Sequence, residues 1–343
     1  MEYNRDILKE SGTTERKEES IMAKDYTICI GTVGQGLWQS PDGGENWVRM
    51  RHPFPLESRV RALAQHPTDP STIFAGADSG LYRSRDNGMT WEHVSAPEPR
   101  LNVWSLAIDP TDPDTIFVGT SPSAVYRSRD GGHQWEQLSL ELAEACAIGT
   151  PRVTATLVEP DDPRIVWAGV EIDGVHCSLD GGDTWTRMAG GLTDPDIHGM
   201  VIAQGDPKRV LTSTPREIFA STDMGDSWQP MHIAQHFPAP YCRWIAVKPD
   251  DPQVIFAACG DSAIGSSGNL QRTVDGGQSW RTLPLPVEPN SPLYGFAVNA
   301  ANANRILSYS LFGEVYASED AGDSWQKVKR EFGEIRAIAW QPN

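Results

Sequence analysis

Positive charge is scarce in this sequence, as are the features that would attach the chain to a membrane or tie it with disulfides. Of 343 residues, 29 are Lys or Arg against 46 Asp or Glu, for a formal net charge of -17. Such a field repels phosphate backbones and anionic lipid headgroups, which disfavours nucleic-acid and membrane-surface roles. No stretch approaches the ~18 consecutive apolar residues of a membrane-crossing helix. Residues 1–25 carry twelve charged side chains and lack the apolar core of a secretory signal, so a cytoplasmic location is expected. The five cysteines, Cys29, Cys146, Cys177, Cys242 and Cys259, are odd in number and form no C-x-x-C pair. That pattern fits reduced, structural thiols better than a disulfide framework or a zinc site. Walker loops, G-x-S-x-G elbows, H-E-x-x-H helices and dinucleotide fingerprints are missing from suitable contexts, and no cofactor is expected.

What the sequence has in quantity is one repeated octapeptide. It occurs seven times: SPDGGENW (40–47), SRDNGMTW (84–91), SRDGGHQW (128–135), SLDGGDTW (178–185), STDMGDSW (221–228), TVDGGQSW (273–280) and SEDAGDSW (318–325). Its aspartates lie 43 to 52 residues apart, the length of one four-stranded propeller blade. Ser or Thr and Asp hold a tight turn by accepting backbone N–H groups, Gly supplies a positive φ, and Trp anchors the next strand. Between boxes the order is constant. A short inner strand leads to a D-P turn such as HPTDP (66–70) or DPTDP (109–113), then to a β-branched strand such as TIFAGA (72–77), and then to a third strand such as GLYRS (80–84).

The ends set the architecture. The first unit opens at its second strand, YTICIGT (26–32), with no inner strand of its own, and the tail IRAIAWQPN (335–343) is an inner strand with no blade after it. Pairing the two closes a ring without an unpaired edge. The expected fold is therefore all-β, a single seven-bladed β-propeller of four-stranded antiparallel blades over residues 26–343. Residues 1–25 are expected to be a flexible charged arm, with Met22 a candidate true start.

The octapeptides resemble the Asp-box, or BNR, repeat of sialidases, sortilin ectodomains, xyloglucanases and photosystem II stability/assembly factors. The D-P turn followed by T-I-F-x-G-T, G-L-Y-R-S and D-G-G-x-x-W is most similar to the sortilin, xyloglucanase and assembly-factor branch. The resemblance covers residues 26–343 and implies the scaffold, since proteins sharing it do unrelated things. Sialidases have six blades and an F-R-I-P segment, both missing here. Xyloglucanases pair two propellers around a cleft, and this sequence has one. No catalytic residue of any of these families falls on a matched position.

Positions that escape the repeat are the functional candidates. Aligning inner strands on their D-P turns gives one column with seven members: Arg61, Trp104, Thr154, His198, Arg243, Tyr294 and Arg336. The positions two and three places on stay small or apolar, as in Leu63 and Ala64. Near a channel mouth this column would make a basic, aromatic cup. Arg61, Arg243 and Arg336 would clamp a carboxylate or phosphate, Trp104 and Tyr294 would supply stacking walls, Trp244 would support Arg243, and His198 would act as acid or base. The competing expectation pairs the arginines with rim acids such as Glu57, Asp196 or Glu334. Loops between second and third strands add acids to the same face, of which Glu171, Asp173 and Asp261 are the catalytic candidates. His232 and His236 form an H-x-x-x-H pair that with His198 would make three imidazoles, although loop spacing argues against a metal. His176 falls in a third-strand aromatic slot and reads as core.

Two functions follow as expectations. One is a site for a small anionic or oligosaccharide ligand at the channel mouth, with a hydrolase or lyase activity on it left open. The other is a non-catalytic scaffold that docks a protein partner across the same face.

Overall fold

The computed structural model describes residues 24–99, 101–143 and 149–343. The arm expected over residues 1–25 and the candidate start at Met22 lie almost wholly outside the described residues, as does Cys146. Seven four-stranded antiparallel sheets form the propeller ring. Helix among the described residues is limited to two single 3-10 turns, Ile233–Gln235 and Ala300–Asn302. From blade one to blade seven the inner strands are Ile335–Pro342, Val60–Gln65, Asn102–Ile108, Val153–Val158, Gly199–Ala203, Tyr241–Lys248 and Leu293–Ala297. Blade one is assembled from both ends of the fold, because Ile335–Pro342 pairs antiparallel with Tyr26–Thr32, placing Trp340 opposite Ile28. Successive inner strands pack side by side, and that of blade seven packs on that of blade one.

The apolar core is divided among the blade interfaces. Ile28, Trp340 and Leu307 belong to the cluster between blades one and seven, Phe74, Val103 and Val118 to that between two and three, and Phe117, Val153 and Val166 to that between three and four. The Gly of the T-I-F-x-G motif permits this closeness. A Cβ on Gly76 would lie 2.4 Å from Val103 Cγ1, and one on Gly119 would lie 2.5 Å from Val153 Cγ1. Only glycine lets the second strand of one blade meet the inner strand of the next at that distance.

The octapeptides fold as closed hydrogen-bonded units at the end of each blade away from the start of the inner strand. In the fourth box Ser178 Oγ accepts from the Gly182 N–H and donates to Asp180 Oδ1, while Asp180 accepts from both the backbone and the hydroxyl of Thr184. Trp185 then donates its indole N–H to the Gly182 carbonyl at 2.9 Å. The same bonds recur at Ser318, Asp320, Gly322, Ser324 and Trp325. Hydroxyl donation from Thr184, with other bonds behind it, holds the Asp180 carboxyl down to about 2, and Ser324 does the same for Asp320. Cys29, Cys177, Cys242 and Cys259 are buried free thiols, and His176 is buried as well.

Candidate functional site

The backbone singles out the off-repeat column. Val60 pairs with Ala77 and Ala62 with Gly76, so Arg61 is one residue too many for its partner strand. Trp104 is extra in the same way between Val103 and Ser105, Thr154 between Val153 and Ala155, Arg243 between Cys242 and Trp244, and Tyr294 between Leu293 and Gly295. Arg336 is skipped between Ile335 and Ala337 in blade one. Each is the surplus residue of a β-bulge, a device that re-aims one side chain while the rest of the strand keeps its register. In blade five, His198 precedes the inner strand and donates its backbone N–H to the Ser213 carbonyl at 2.8 Å.

The six bulged residues line one cavity of about 220 Å³ at the channel mouth. Its wall also carries the apolar side chains of Leu63, Leu106, Phe296, Ile338 and Trp244, and the hydroxyl of Thr156, which is buried without a partner. Trp244 leans over the inner strand of blade five, where a Cβ on Gly199 would lie 2.8 Å from its ring. The guanidinium of Arg61 lies 4.1 Å from the centre of the Trp104 ring, and those of Arg243 and Arg336 each lie 5.2 Å from Tyr294. Such contacts let a guanidinium rest on an aromatic face with its N–H edges free.

Of the three candidate clamp residues, one is paired. Arg336 bonds Glu334 through Nε at 2.5 Å, as the rim-acid expectation had it. Arg61 and Arg243 have no carboxylate within 4.0 Å among the described residues, and Arg61 Nε is buried without any hydrogen-bond partner. Burial first, and then the charge on Arg336, hold Arg61 down to about 10. A buried, unpaired cationic N–H is costly unless something else satisfies it.

His198 is buried outside the cavity wall, with Nδ1 2.8 Å from the Cys242 carbonyl. A carbonyl only accepts, so Nδ1 carries the proton and Nε2 is a bare acceptor. Burial, reinforced by the charge of Arg243, pushes its pKa down to about 3 and keeps the ring neutral. Its Nε2 faces Asp196 Oδ2 at 3.7 Å. Burial, with the charges of Glu171 and Asp194 behind it, lifts the Asp196 carboxyl to about 6, and its Oδ1 is buried without a partner.

The three candidate loop acids lie outside the cavity wall. Glu171 accepts from Arg152 Nε at 2.5 Å and so reaches the cup only through that guanidinium, which lies 4.5 Å from the Trp104 ring. Asp173 accepts the Ala143 N–H at 2.9 Å and lies 3.6 Å from Arg187. Asp261 is exposed and accepts the N–H groups of Ser262, Ser266 and Ser267 from its own loop. His232 and His236 are exposed at the two ends of a 3-10 turn, while His198 is buried. Among the described residues no group of three His, Cys, Asp or Glu side chains could hold a metal ion.

Sequence reading missed Arg152 and Tyr241. Both stand two residues before the column, on the same tier as Asp196 and Glu334, and Tyr241 packs its ring 5.4 Å from that of His198. Reading this second tier alongside the first would have found them, because alternate residues of a strand face one way.

No family model matches the chain. Sortilin of Danio rerio is 32% identical over 84 residues, which are 24% of this chain and 10% of sortilin. The GH74 xyloglucanase from Xanthomonas campestris superposes with a TM-score of 0.63 at 21% identity, over 78% of this chain and 45% of the enzyme. YCF48 from Cyanidioschyzon merolae superposes with a TM-score of 0.59 at 17% identity, over 82% of this chain and 89% of that one. A structure of YCF48 bound to D1 peptide gives a TM-score of 0.56 at 13% identity, over 78% of this chain and 80% of that one. The chain thus spans less than half of the xyloglucanase and nearly all of YCF48. It is a seven-bladed β-propeller similar in fold to GH74 xyloglucanases and YCF48.

Proposed function

We propose that the channel mouth binds an anionic or glycan-like ligand through a carboxylate or similar oxyanion. The observation that carries this reading is the pair of cavity-lining guanidinia, Arg61 and Arg243, left without a carboxylate partner. Charge-assisted bonds from guanidinium to an oxyanion contribute about 1.5–3 kcal/mol each, so losing one weakens binding roughly tenfold to a hundredfold. Trp104 and Tyr294 offer stacking surface for a sugar or other ring, and the rest of the wall, apolar side chains with the Thr156 hydroxyl among them, covers the body of the ligand. A thermal-shift screen against sugar acids, other carboxylates and phosphates is expected to raise the melting midpoint of the wild type. Arg61→Ala and Arg243→Ala are expected to lose that rise. Retention of the full rise by both variants would sink the reading.

A hydrolytic or eliminating step on the bound ligand is the finer form of this proposal. Asp196, outside the cavity wall like the loop acids, is pushed up to about 6 beside the bare Nε2 of His198 and has the pKa of a general acid near neutral pH. A second reading, a scaffold that docks an acidic partner segment, draws support from the YCF48 likeness, since one YCF48 structure holds a peptide. Complex formation that weakens steeply with salt, without stabilisation by any small molecule, would favour the scaffold.

A further inference from the structure

The cations of the mouth come in two stacks. Arg61 and Arg152 flank Trp104 at 4.1 and 4.5 Å, and Arg243 and Arg336 flank Tyr294 at 5.2 Å each. Within each stack one guanidinium is neutralised by a rim acid, Arg152 by Glu171 and Arg336 by Glu334. The other is not: Arg61 in the first stack and Arg243 in the second have no carboxylate within 4.0 Å among the described residues. Arg61 belongs to blade two and Arg243 to blade six. Counted through blades seven and one they are three blades apart in a ring of seven, the largest separation the ring allows. Both line the same cavity, and they reach it from inner strands on opposite sides of the ring.

An anionic group bonded to one guanidinium alone leaves the other unanswered. Seated on Arg61 it leaves Arg243 unpaired, and seated on Arg243 it leaves the buried Nε of Arg61 without an acceptor, which is the costly outcome for a desolvated cation. The wall between the two guanidinia carries Leu63, Leu106, Phe296 and Ile338 together with Thr156, whose hydroxyl is buried without a hydrogen-bond partner. We infer that the ligand is a small dianion of the dicarboxylate type, one anionic group on Arg61 and the other on Arg243, joined by a short spacer. This rests on the anion-binding reading and narrows its ligand class. The held-down pKa of Arg61, which comes partly from the charge on Arg336, agrees with a site that is relieved when negative charge enters.

The test is calorimetric titration of the full chain at fixed ionic strength and pH 7.5. The titrants are straight-chain dicarboxylates of increasing length, the monocarboxylate of each length, and inorganic phosphate. One dicarboxylate length is expected to bind the wild type at least tenfold more tightly than its monocarboxylate. Arg61→Gln and Arg243→Gln are each expected to erase that advantage, so that the two acids bind alike. Thermal midpoints confirm that the Gln variants are folded, and Arg61→Lys, which keeps the charge but not the fork, is expected to retain part of the advantage. Should no chain length bind the wild type better than its monocarboxylate or phosphate, while Arg61→Gln and Arg243→Gln still weaken these, the dianion inference falls and anion binding stands. Should no titrant bind and neither substitution alter anything, both fall together.

Discussion

Arginine meets opposite fates in two regions of this molecule. At the box end, Arg127 is almost wholly buried and bonds Glu136 at 2.5 Å and Asp183 of the next blade at 2.7 Å, while Arg272 does the same with Asp323 at 2.7 Å. At the mouth, Arg61 and Arg243 rest on aromatic rings with no carboxylate within 4.0 Å among the described residues. Carboxyls divide in the same way. Box hydroxyls hold Asp180 down to about 2, and burial among other acids lifts Asp196 to about 6. The Ser or Thr and Asp side chains of the boxes are satisfied within their own turns, whereas the mouth leaves a donor of Arg61 and an oxygen of Asp196 unsatisfied. Such incompleteness in a concave, partly apolar site is the mark of a place that something else completes.

The largest effects should come from breaking the frame on which both regions depend. Trp340 is buried where the last strand meets the first, edge-on to Tyr26 at 5.8 Å, and Trp340→Ala should cost about 3–5 kcal/mol in urea unfolding. Next comes the contrast itself. Ser178→Ala strips the Gly182 N–H of its acceptor and should cost about 1–2 kcal/mol. Arg61→Ala removes an unpaired cation beside Arg336 and should leave the unfolding midpoint unchanged or raised. If Arg61→Ala destabilised as much as Ser178→Ala, the mouth would be structural like the boxes.

The smaller effects depend on pH, with opposite sign in the two regions. Asp180 and Asp320 titrate lower in the folded than in the unfolded chain, so their contribution is present above about pH 4 and disappears as pH falls toward 2. Asp196 titrates higher when folded, so its contribution is present below about pH 4 and is lost as pH rises through 6. Asp196→Asn should therefore be more stable than wild type above pH 6 and no different below about pH 4, as read from urea midpoints. Ionised Asp196 also adds negative charge beside the cup, so anion affinity should fall several-fold between pH 5 and 7.5 in the wild type and stay flat in Asp196→Asn.

The blades were legible because each box is a local unit whose Ser or Thr, Asp, Gly and Trp recur at fixed positions, and local hydrogen bonding writes itself into sequence. Closure was legible because a unit lacking its inner strand sits at one end and a lone inner strand at the other. The cup's members could be named, since side chains freed from the scaffold depart from the repeat. Which of them stand unpaired could not be read. That depends on bulges at Arg61, Trp104, Thr154, Arg243, Tyr294 and Arg336, and on rim acids such as Glu171 and Glu334 reaching one guanidinium and not its neighbour. Topology put Asp173 and Asp261 on loops near the mouth, but backbone N–H groups close to each of them claim their carboxylates. For Asp261 the run of serines around it carried that signal, because an Asp followed by small polar residues tends to bond its own turn.

The most direct measurement follows the arginine side chains themselves, by NMR of the Nε–H groups in protein labelled with nitrogen-15 arginine while a dicarboxylate is titrated in. The signals of Arg61 and Arg243 should move together and saturate with one ligand per chain, while those of Arg127 and Arg272 stay in place. Static Arg61 and Arg243 signals, or equal movement of all four, would contradict the division between box-end arginines paired within the fold and mouth arginines left open for a ligand.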